Sequence, residues 1–330
     1  MMFLAFTRET ERNNEILSIQ YLRGIAALMV TVYHYMPWLF FTIPDWLKAF
    51  LKTGSMGVYI FFCISGFVLT FSLNKIQYTI RDFGTFLKRR FIRIEPPYLV
   101  SVLMVLLFLK LRMLMNLPVT VDLSLRNILF HIGYLNVFGG HWFTVVYWTL
   151  AIEFMFYITI GLLYPYIVNA RPLHRILIWT GLMSSGLIFP AQEFLPNYFP
   201  FFILGMTACL FYTNKSGLGE SATSAILCLG LIFWKFGWVV TLYCGLTSLS
   251  FFVTVPRIQV LYFLGTISFS IYLMHTITGA RVLMLGFRFE EGGIERPIIF
   301  LLAIIATIVT SWLYYLAIEK RSLAWSRQRK

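Results

Sequence analysis

The chain alternates between long apolar runs and short polar stretches along most of its length. Most runs approach the roughly 20 residues that a helix needs to cross a bilayer, and they are continuous rather than alternating in polarity, which argues against a β-barrel. Ten runs are visible, at residues 22–41, 55–73, 96–115, 145–168, 174–190, 195–213, 222–236, 238–255, 259–285 and 297–318. Only Lys235 and Gly237 separate the seventh run from the eighth, which leaves the number of helices between 222 and 255 open. The pattern predicts an all-α polytopic membrane protein, a single domain over residues 1–330 built as a bundle of about ten transmembrane helices.

Composition supports a membrane protein. Of the 330 residues, 59% are hydrophobic and only 12% are charged, which is too little charge to cover a soluble domain. The net charge is +13, and with the N-terminus inside, the predicted inner segments hold 17 basic residues against nine in the outer segments. The positive-inside rule then places both termini in the cytoplasm, with residues 1–18 and 319–330 as cytoplasmic tails. No soluble basic module that would bind nucleic acid is visible.

The four cysteines all lie inside apolar runs. They are Cys63, Cys209, Cys228 and Cys244. None belongs to a Cys-x-x-Cys pair, and no cluster of His and Cys has the spacing of a metal site. They are interpreted as small packing residues, and no bound metal is expected.

Two ionisable residues share the first apolar run. Arg23 stands at its start and His34 near its middle, eleven residues further on, which places both on one helix face about 16 Å apart. An ionisable residue at that depth faces protein or water and is a functional candidate. His34 suits a general base because imidazole titrates near neutral pH. The structural alternatives are a histidine bonded to a neighbouring helix and an arginine that only orients the run.

A carboxylate stands inside the fourth run, within the stretch Trp148–Tyr157. Placing Glu153 at the centre of a membrane helix costs about 2.5–3.5 kcal/mol, so a cationic or hydrogen-bonding partner is expected. Counted from the outer end of the run, its depth should be close to that of His34. The alternative is a structural pair that joins two helices.

A basic cluster precedes the third run and comprises Lys88, Arg89, Arg90 and Arg93. Arg90 and Arg93 are three positions apart and share a helix face, where two guanidiniums could bind phosphate oxygens. The alternatives are charges that fix the topology and a contact with anionic lipid headgroups.

Candidates for a second substrate lie toward the opposite side. His275 falls in the outer half of the ninth run, where it could line an acceptor pocket or bond to a neighbouring helix. The long connection 116–144 contains His141 and Trp142 and could pack over the bundle or line an entrance. Aromatic side chains near His141 and Tyr147 could stack on sugar rings.

Five segments, in this order, resemble the motifs of the bacterial membrane-bound acyltransferase-3 family, and in particular its exopolysaccharide O-acetyltransferase branch. They are Ile19–His34 with its Arg-x10-His spacing, Gly57–Phe67, the Arg-x-x-Arg stretch Arg90–Tyr98, Trp148–Tyr157 and Ser268–His275. Each segment is weak alone, whereas five in the family's order form a strong signal. The fourth departs from the family pattern, because Thr149 and Ala151 stand where serines are commoner.

The resemblance implies an acyltransferase of the bacterial inner membrane. Its donor would be acetyl-CoA or another acyl-CoA, and its acceptor a sugar hydroxyl of an exported or cell-envelope polysaccharide. It implies His34 as the essential catalytic residue, and Arg90 and Arg93 near the phosphates of the donor.

Around these residues we predict a fuller site. Arg89 would assist in binding the donor, Arg23 would line its route, and Glu153 would orient the imidazole as a carboxylate does in hydrolase triads. The residues predicted to bind the acceptor are Ser65, His141, Trp148 and His275. Direct transfer and an acyl-histidine intermediate are both open.

Other classes of protein stay open at this point. A polysaccharide or lipid-linked sugar transporter, or a non-catalytic scaffold for envelope synthesis, would also have many helices and buried polar residues. Within enzymes, the acceptor could be a small molecule or a lipid. No hydrolase-like domain follows the tenth run, so transfer is expected to finish in the membrane domain or on a partner protein of envelope biosynthesis. Membrane lipids are the other expected partner.

Overall fold

The computed structural model describes residues 16–39, 43–189, 193–287 and 295–327, and the regular structure in these ranges is helical. The helices are α1 (Leu17–Tyr35), α2 (Asp45–Lys52), α3 (Gly57–Lys75), α4 (Phe83–Leu114), α5 (Leu125–Phe130), α6 (Trp148–Asn169), α7 (Pro172–Ile188), α8 (Phe199–Tyr212), α9 (Leu218–Phe236), α10 (Trp238–Ser250), α11 (Gln259–Thr266), α12 (Ser268–Met274), α13 (Gly279–Gly286), α14 (Glu295–Tyr314) and α15 (Lys320–Arg327). A π-helical turn, Tyr315–Glu319, joins α14 to α15. The all-α prediction is confirmed, while residues 1–15 of the predicted N-terminal tail lie outside the described residues.

Six helical stretches of the described chain are long and apolar enough to cross a membrane. They are Asp45–Lys75, Ile80–Leu114, Trp148–Asn169, Leu195–Tyr212, Leu218–Phe236 and Glu295–Arg327. The predicted polytopic architecture is therefore confirmed. Other predicted runs correspond to helices that are shorter, such as α7 with 17 residues and α10 with 13, or richer in polar residues, such as α1.

The first helix is displaced from its predicted position. It begins at Leu17, five residues before the predicted start, and ends at Tyr35. Pro37 lacks the N–H that a further α-helical turn would need, and the chain continues as a 3-10 turn. His34 therefore lies in the last turn of α1 rather than near the middle of the helix. Arg23 lies in the second turn.

The ninth predicted run is divided among α11, α12 and α13. Ile267 leaves the helical conformation with φ −96° and ψ 10°, and a turn follows α12 at residues 275–278. The seven residues of α12 are buried except Phe269. The break thus sets a short helix with two serines and a tyrosine in the interior of the bundle.

Helices α3 and α8 pack backbone against backbone. A Cβ at Gly66 would lie 2.1 Å from the carbonyl oxygen of Phe202, and one at Gly205 would lie 1.9 Å from that of Cys63. Small residues allow membrane helices to approach this closely. The contact fixes the segment of α3 that carries Ser65.

Within the predicted basic C-terminal tail, residues Lys320–Arg327 form helix α15, which packs against α4. Pro96 and Pro97 lie inside α4 and cannot donate to the carbonyl groups of Ile92 and Arg93. The Ser322 hydroxyl of α15 hydrogen-bonds to both carbonyl oxygens. Helix α15 thereby supplies a hydrogen-bond donor to the two carbonyl groups of α4 that the prolines leave without one.

A buried polar network holds the connection between α4 and α6. The His131 Nδ1–H donates to the Asn127 carbonyl at 2.9 Å, and Nε2 accepts from the Phe143 N–H at 3.2 Å. The ring is therefore neutral, and burial lowers the pKa of His131. Gly133, in the left-handed region with φ +72°, donates its N–H to Glu95 of α4 at 3.3 Å. The connection is thus anchored into the bundle.

Candidate functional site

A cavity inside the bundle gathers most of the sequence-predicted charged residues. It holds about 950 Å³ of empty space, part of it open to solvent. Its charged lining residues are Arg23, Arg90, Arg93, Glu153 and Glu319, and its polar lining residues are Ser65, Thr149, Tyr157, Ser268 and Tyr272. Helices α1, α3, α4, α6 and α12 and the π-helical turn therefore converge on one charged site.

The three cavity arginines have no carboxylate in ion-pair contact. Within the described residues, no side-chain nitrogen of Arg23, Arg90 or Arg93 lies within 4.0 Å of a carboxylate oxygen. Arg90 places Nη2 at 3.4 Å from Ser72 Oγ, and its guanidinium carbon lies 5.7 Å from the ring centre of Tyr157. Guanidinium donors that carboxylates do not occupy are available to an anionic ligand.

The two cavity carboxylates bond to hydroxyl groups instead. Ser65 Oγ donates to Glu153 Oε1 at 2.7 Å, and the Tyr157 hydroxyl donates to the same oxygen at 2.5 Å. Ser270 Oγ donates to Glu319 Oε2 at 2.5 Å. Since three guanidiniums face at most two ionised carboxylates, the cavity has an excess of positive charge that favours a polyanion.

A second polar group, the histidine pair His34 and His275, lies at the end of α1. His34 Nδ1 is 2.9 Å from the Val30 carbonyl oxygen and 3.2 Å from His275 Nε2. His275 Nδ1 is 3.2 Å from the Ile271 carbonyl oxygen. A carbonyl oxygen only accepts, so each Nδ1 carries the proton. His34 Nε2 is then unprotonated and has no hydrogen-bond partner among the described residues, which is the form a general base requires.

Tyr272 contacts both the cavity and the histidine pair. It lines the cavity, and its ring centre is 5.9 Å from that of His275. Its hydroxyl lies 2.5 Å from Thr149 Oγ1 and donates to the Val146 carbonyl oxygen at 3.0 Å. Neither His34 nor His275 lines the cavity. Tyr272 therefore links the charged cavity to the residue that contacts the candidate base.

The structure does not join Glu153 to His34. The hydrogen bonds of Glu153 are to Ser65 and Tyr157, while those of His34 are to Val30 and His275. His34 lies in the last turn of α1, whereas Glu153 lines the cavity, and the structure shows no hydrogen bond between them.

Three other predicted site residues lie outside the cavity lining. Arg89 is half-buried on α4 but is not among the lining residues. Trp148 packs against Tyr198 with ring centres 5.6 Å apart. His141 has an exposed side chain, and its backbone N–H donates to Asn127 Oδ1 at 2.8 Å.

Glu319 is a cavity residue that sequence reasoning missed. Its neighbours Lys320 and Arg321 give the segment the charge pattern of a cytoplasmic tail. In the structure Glu319 ends the π-helical turn and is only 3% exposed. Such turns often occur at functional sites. The available signal was a carboxylate directly after an apolar run, whereas Glu153 was marked by its place inside one.

Comparisons with known proteins identify a family for this chain. The family model for acyltransferase 3, described as an acyltransferase domain, matches residues 16–316. The chain belongs to the acyltransferase-3 family, as its motifs indicated. A relative from Acidianus two-tailed virus, ORF330, is 28% identical over 291 residues, covering 78% of this chain and 82% of the relative. That relative is named provisionally as an acetyltransferase. No solved structure gives a significant match.

Proposed function

We propose that this acyltransferase moves an acyl group, most simply acetyl, from acyl-CoA to a hydroxyl group of a cell-envelope or exported carbohydrate. Family membership supports acyl transfer. The name of the viral relative supports acetyl as the group. The observation that carries the choice of donor is the set of three cavity arginines without a carboxylate partner.

The cavity fits the phosphorylated part of an acyl-CoA donor. Arg90 and Arg93 face it together from one side of α4, and Arg23 faces it from α1. Two guanidiniums on one helix face can each form forked hydrogen bonds with phosphate oxygens. The carboxylates of Glu153 and Glu319 do not compete for these donors, because hydroxyl groups satisfy them.

His34 supplies the base in the proposed reaction. Its unprotonated Nε2 takes the proton of the acceptor hydroxyl as the hydroxyl oxygen attacks the thioester carbonyl. The carbon–oxygen bond forms, the carbon–sulfur bond breaks, and the proton passes to the departing thiolate to give free CoA. For transfer, the acyl carbon has to come within about 3.5 Å of the attacking oxygen. Tyr272, which contacts both the cavity and His275, is proposed to move aside as it does so.

The choice of acceptor and of cellular setting is supported by the sequence motifs and by the distribution of charge. The motifs resemble the exopolysaccharide branch of the family, and the half-buried Trp148 gives an aromatic face suited to a sugar ring. His141 is exposed in the anchored connection and is proposed to contact the same acceptor. The excess of basic residues in the predicted inner segments supports an inner-membrane protein with both termini in the cytoplasm.

Replacing His34 with Ala tests the reaction. Purified protein is incubated with labelled acetyl-CoA and a carbohydrate acceptor, and the product is identified by mass spectrometry. Removing the base should lower kcat by about 100-fold or more. His174, exposed at the start of α7, provides a control as His174→Ala with wild-type activity. A folded His34→Ala protein with unchanged transfer contradicts the proposal. Acceptor movement across proteoliposomes without acylation would favour a transporter instead.

Replacing Arg90 and Arg93 together with Met tests the donor site. Each lost charge-assisted hydrogen bond should cost about 1.5–3 kcal/mol, so the Kd for CoA should rise by at least tenfold. The dependence of Kd on salt should also become weaker. Arg81→Met is the matched control, because Arg81 is exposed in the turn before α4. Unchanged CoA affinity in the double variant shows that the phosphates bind elsewhere.

A further inference from the structure

His275 was expected to contact the acceptor, yet its ring is fully buried and meets His34 rather than open space. Its exposed fraction is 0%, and its Nε2 is 3.2 Å from His34 Nδ1. We propose that His275 is the positioning residue of His34, an inference that rests on the proposed acyl transfer. Its Nε2 lone pair receives the Nδ1–H of His34 and holds the ring with Nε2 free for the acceptor hydroxyl.

Hydrogen bonding fixes the protonation pattern of both rings. The Nδ1–H of His275 donates to the Ile271 carbonyl, so only Nε2 of His275 can accept. The Nδ1–H of His34 is shared between that Nε2 and the Val30 carbonyl. In the other tautomer of His34, the Nδ1 lone pair would face two acceptor lone pairs, which is repulsive. His275 therefore favours the same tautomer of His34 as the Val30 carbonyl does, the one with an unprotonated Nε2.

The backbone of His275 is itself held in place. The Tyr35 hydroxyl donates to the His275 carbonyl oxygen at 2.7 Å and lies 2.7 Å from Thr307 Oγ1 of α14. Gly279 makes room for this contact, because a Cβ there would lie 1.9 Å from the Tyr35 hydroxyl oxygen. Helices α1, α12 and α14 therefore meet at the carbonyl of the residue whose ring orients His34.

The partner of the base is an uncharged ring rather than a carboxylate. In serine hydrolase triads an aspartate orients the histidine and also stabilises its charged form. Here Glu153 is bonded to Ser65 and Tyr157, so the task of orienting His34 falls to His275. When His34 Nε2 takes the hydroxyl proton, the Nδ1–H stays bonded to His275, and the Nε2 proton then leaves with the thiolate.

The first test compares His275→Ala with His275→Gln, whose amide oxygen can accept close to the position of Nε2. For His275→Ala, kcat should fall by about 10- to 100-fold with KM changed less than about threefold, because the Val30 carbonyl still holds part of the tautomer preference. The Gln variant should recover much of the loss. Thr278→Ala is the control, because the Thr278 hydroxyl hydrogen-bonds with Thr310 of α14 rather than with His34. Equal activity of the folded Ala variant and wild type overturns the proposal.

The second test needs no turnover. In protein labelled with ¹⁵N-histidine, the nitrogen chemical shifts separate protonated from unprotonated ring nitrogens, and the His34 signals are identified by their loss in His34→Gln. Wild type should show Nδ1 protonated and Nε2 unprotonated, while His275→Ala should show a mixture. If wild type shows this pattern but transfers no acyl group, the proposed reaction fails and the pairing stands. An unchanged pattern in His275→Ala refutes the pairing role itself.

Discussion

Replacing Gly205 with Ala tests the backbone contact between α3 and α8. The new Cβ would lie 1.9 Å from the carbonyl oxygen of Cys63, whereas real Cβ contacts begin near 3.0 Å, so the helices must separate by at least about 1 Å. Overpacking of this kind costs about 1–3 kcal/mol. At ~2 °C per kcal/mol for a large domain, the melting temperature should fall by about 2–6 °C. Because α3 carries Ser65, which donates to Glu153 at 2.7 Å, CoA affinity should fall as well.

The assay is thermal unfolding in detergent, followed by tryptophan fluorescence at a fixed heating rate. Gly181→Ala and Gly230→Ala are matched controls in α7 and α9, because nothing lies within 4 Å of a Cβ at either position. Alanine favours a helix interior over glycine by about 0.8–1.0 kcal/mol, so the controls should melt at or above the wild-type temperature. The reasoning is refuted if Gly205→Ala melts with the controls.

Two further predictions follow from the cavity and from the anchored connection. Glu319→Gln removes a negative charge from the cavity while keeping an acceptor for Ser270. For a carboxylate and a phosphate about 10 Å apart at an effective dielectric of about 20, losing their repulsion should tighten CoA binding roughly tenfold, measured by titration calorimetry. Unchanged affinity would mean that the carboxyl is already protonated. Burial lowers the pKa of His131, so the ring takes up a proton more readily when the anchored connection opens than when it is closed. Hydrogen exchange of the backbone amides in this connection, corrected for the intrinsic rate, should therefore accelerate as pH falls below about 6.5. The His131→Gln variant should lose that acceleration, and the control His141→Ala should keep it. If the corrected exchange rate of the Phe143 amide does not depend on pH, the conclusion that the His131 ring is neutral is wrong.

The charged cavity could largely be predicted because its residues obey two simple rules. Arg90 and Arg93 share a helix face by their spacing, and Glu153 had to have a polar partner because a lone carboxylate in a membrane is costly. These rules act within one helix or on one residue, so they need no knowledge of helix order. Ser65 entered only through the family motif, and the structure shows why it is there, as a donor to Glu153.

The partner of His34 could not be predicted because it depends on which helices meet. Periodicity tells which face of α1 carries His34, but not that the short helix α12 ends beside it. The break at Ile267 is equally invisible, since small and polar residues such as Gly265, Thr266 and Ser268 also occur inside continuous membrane helices. Glu319 was hidden for a different reason, because a single π-helical turn changes which side of the helix its side chain leaves from.

Tyr272 lines the arginine cavity and its ring centre lies 5.9 Å from that of His275, whereas neither histidine of the pair lines that cavity. If the donor proposed above binds there, its thioester is held apart from the candidate base, which limits its hydrolysis by activated water. Displacing the tyrosine means breaking its hydrogen bonds to Thr149 and Val146, so thermal opening without an occupant is costly. In the proposed reaction, the thioester donor could thus stay bound within the membrane domain without being hydrolysed.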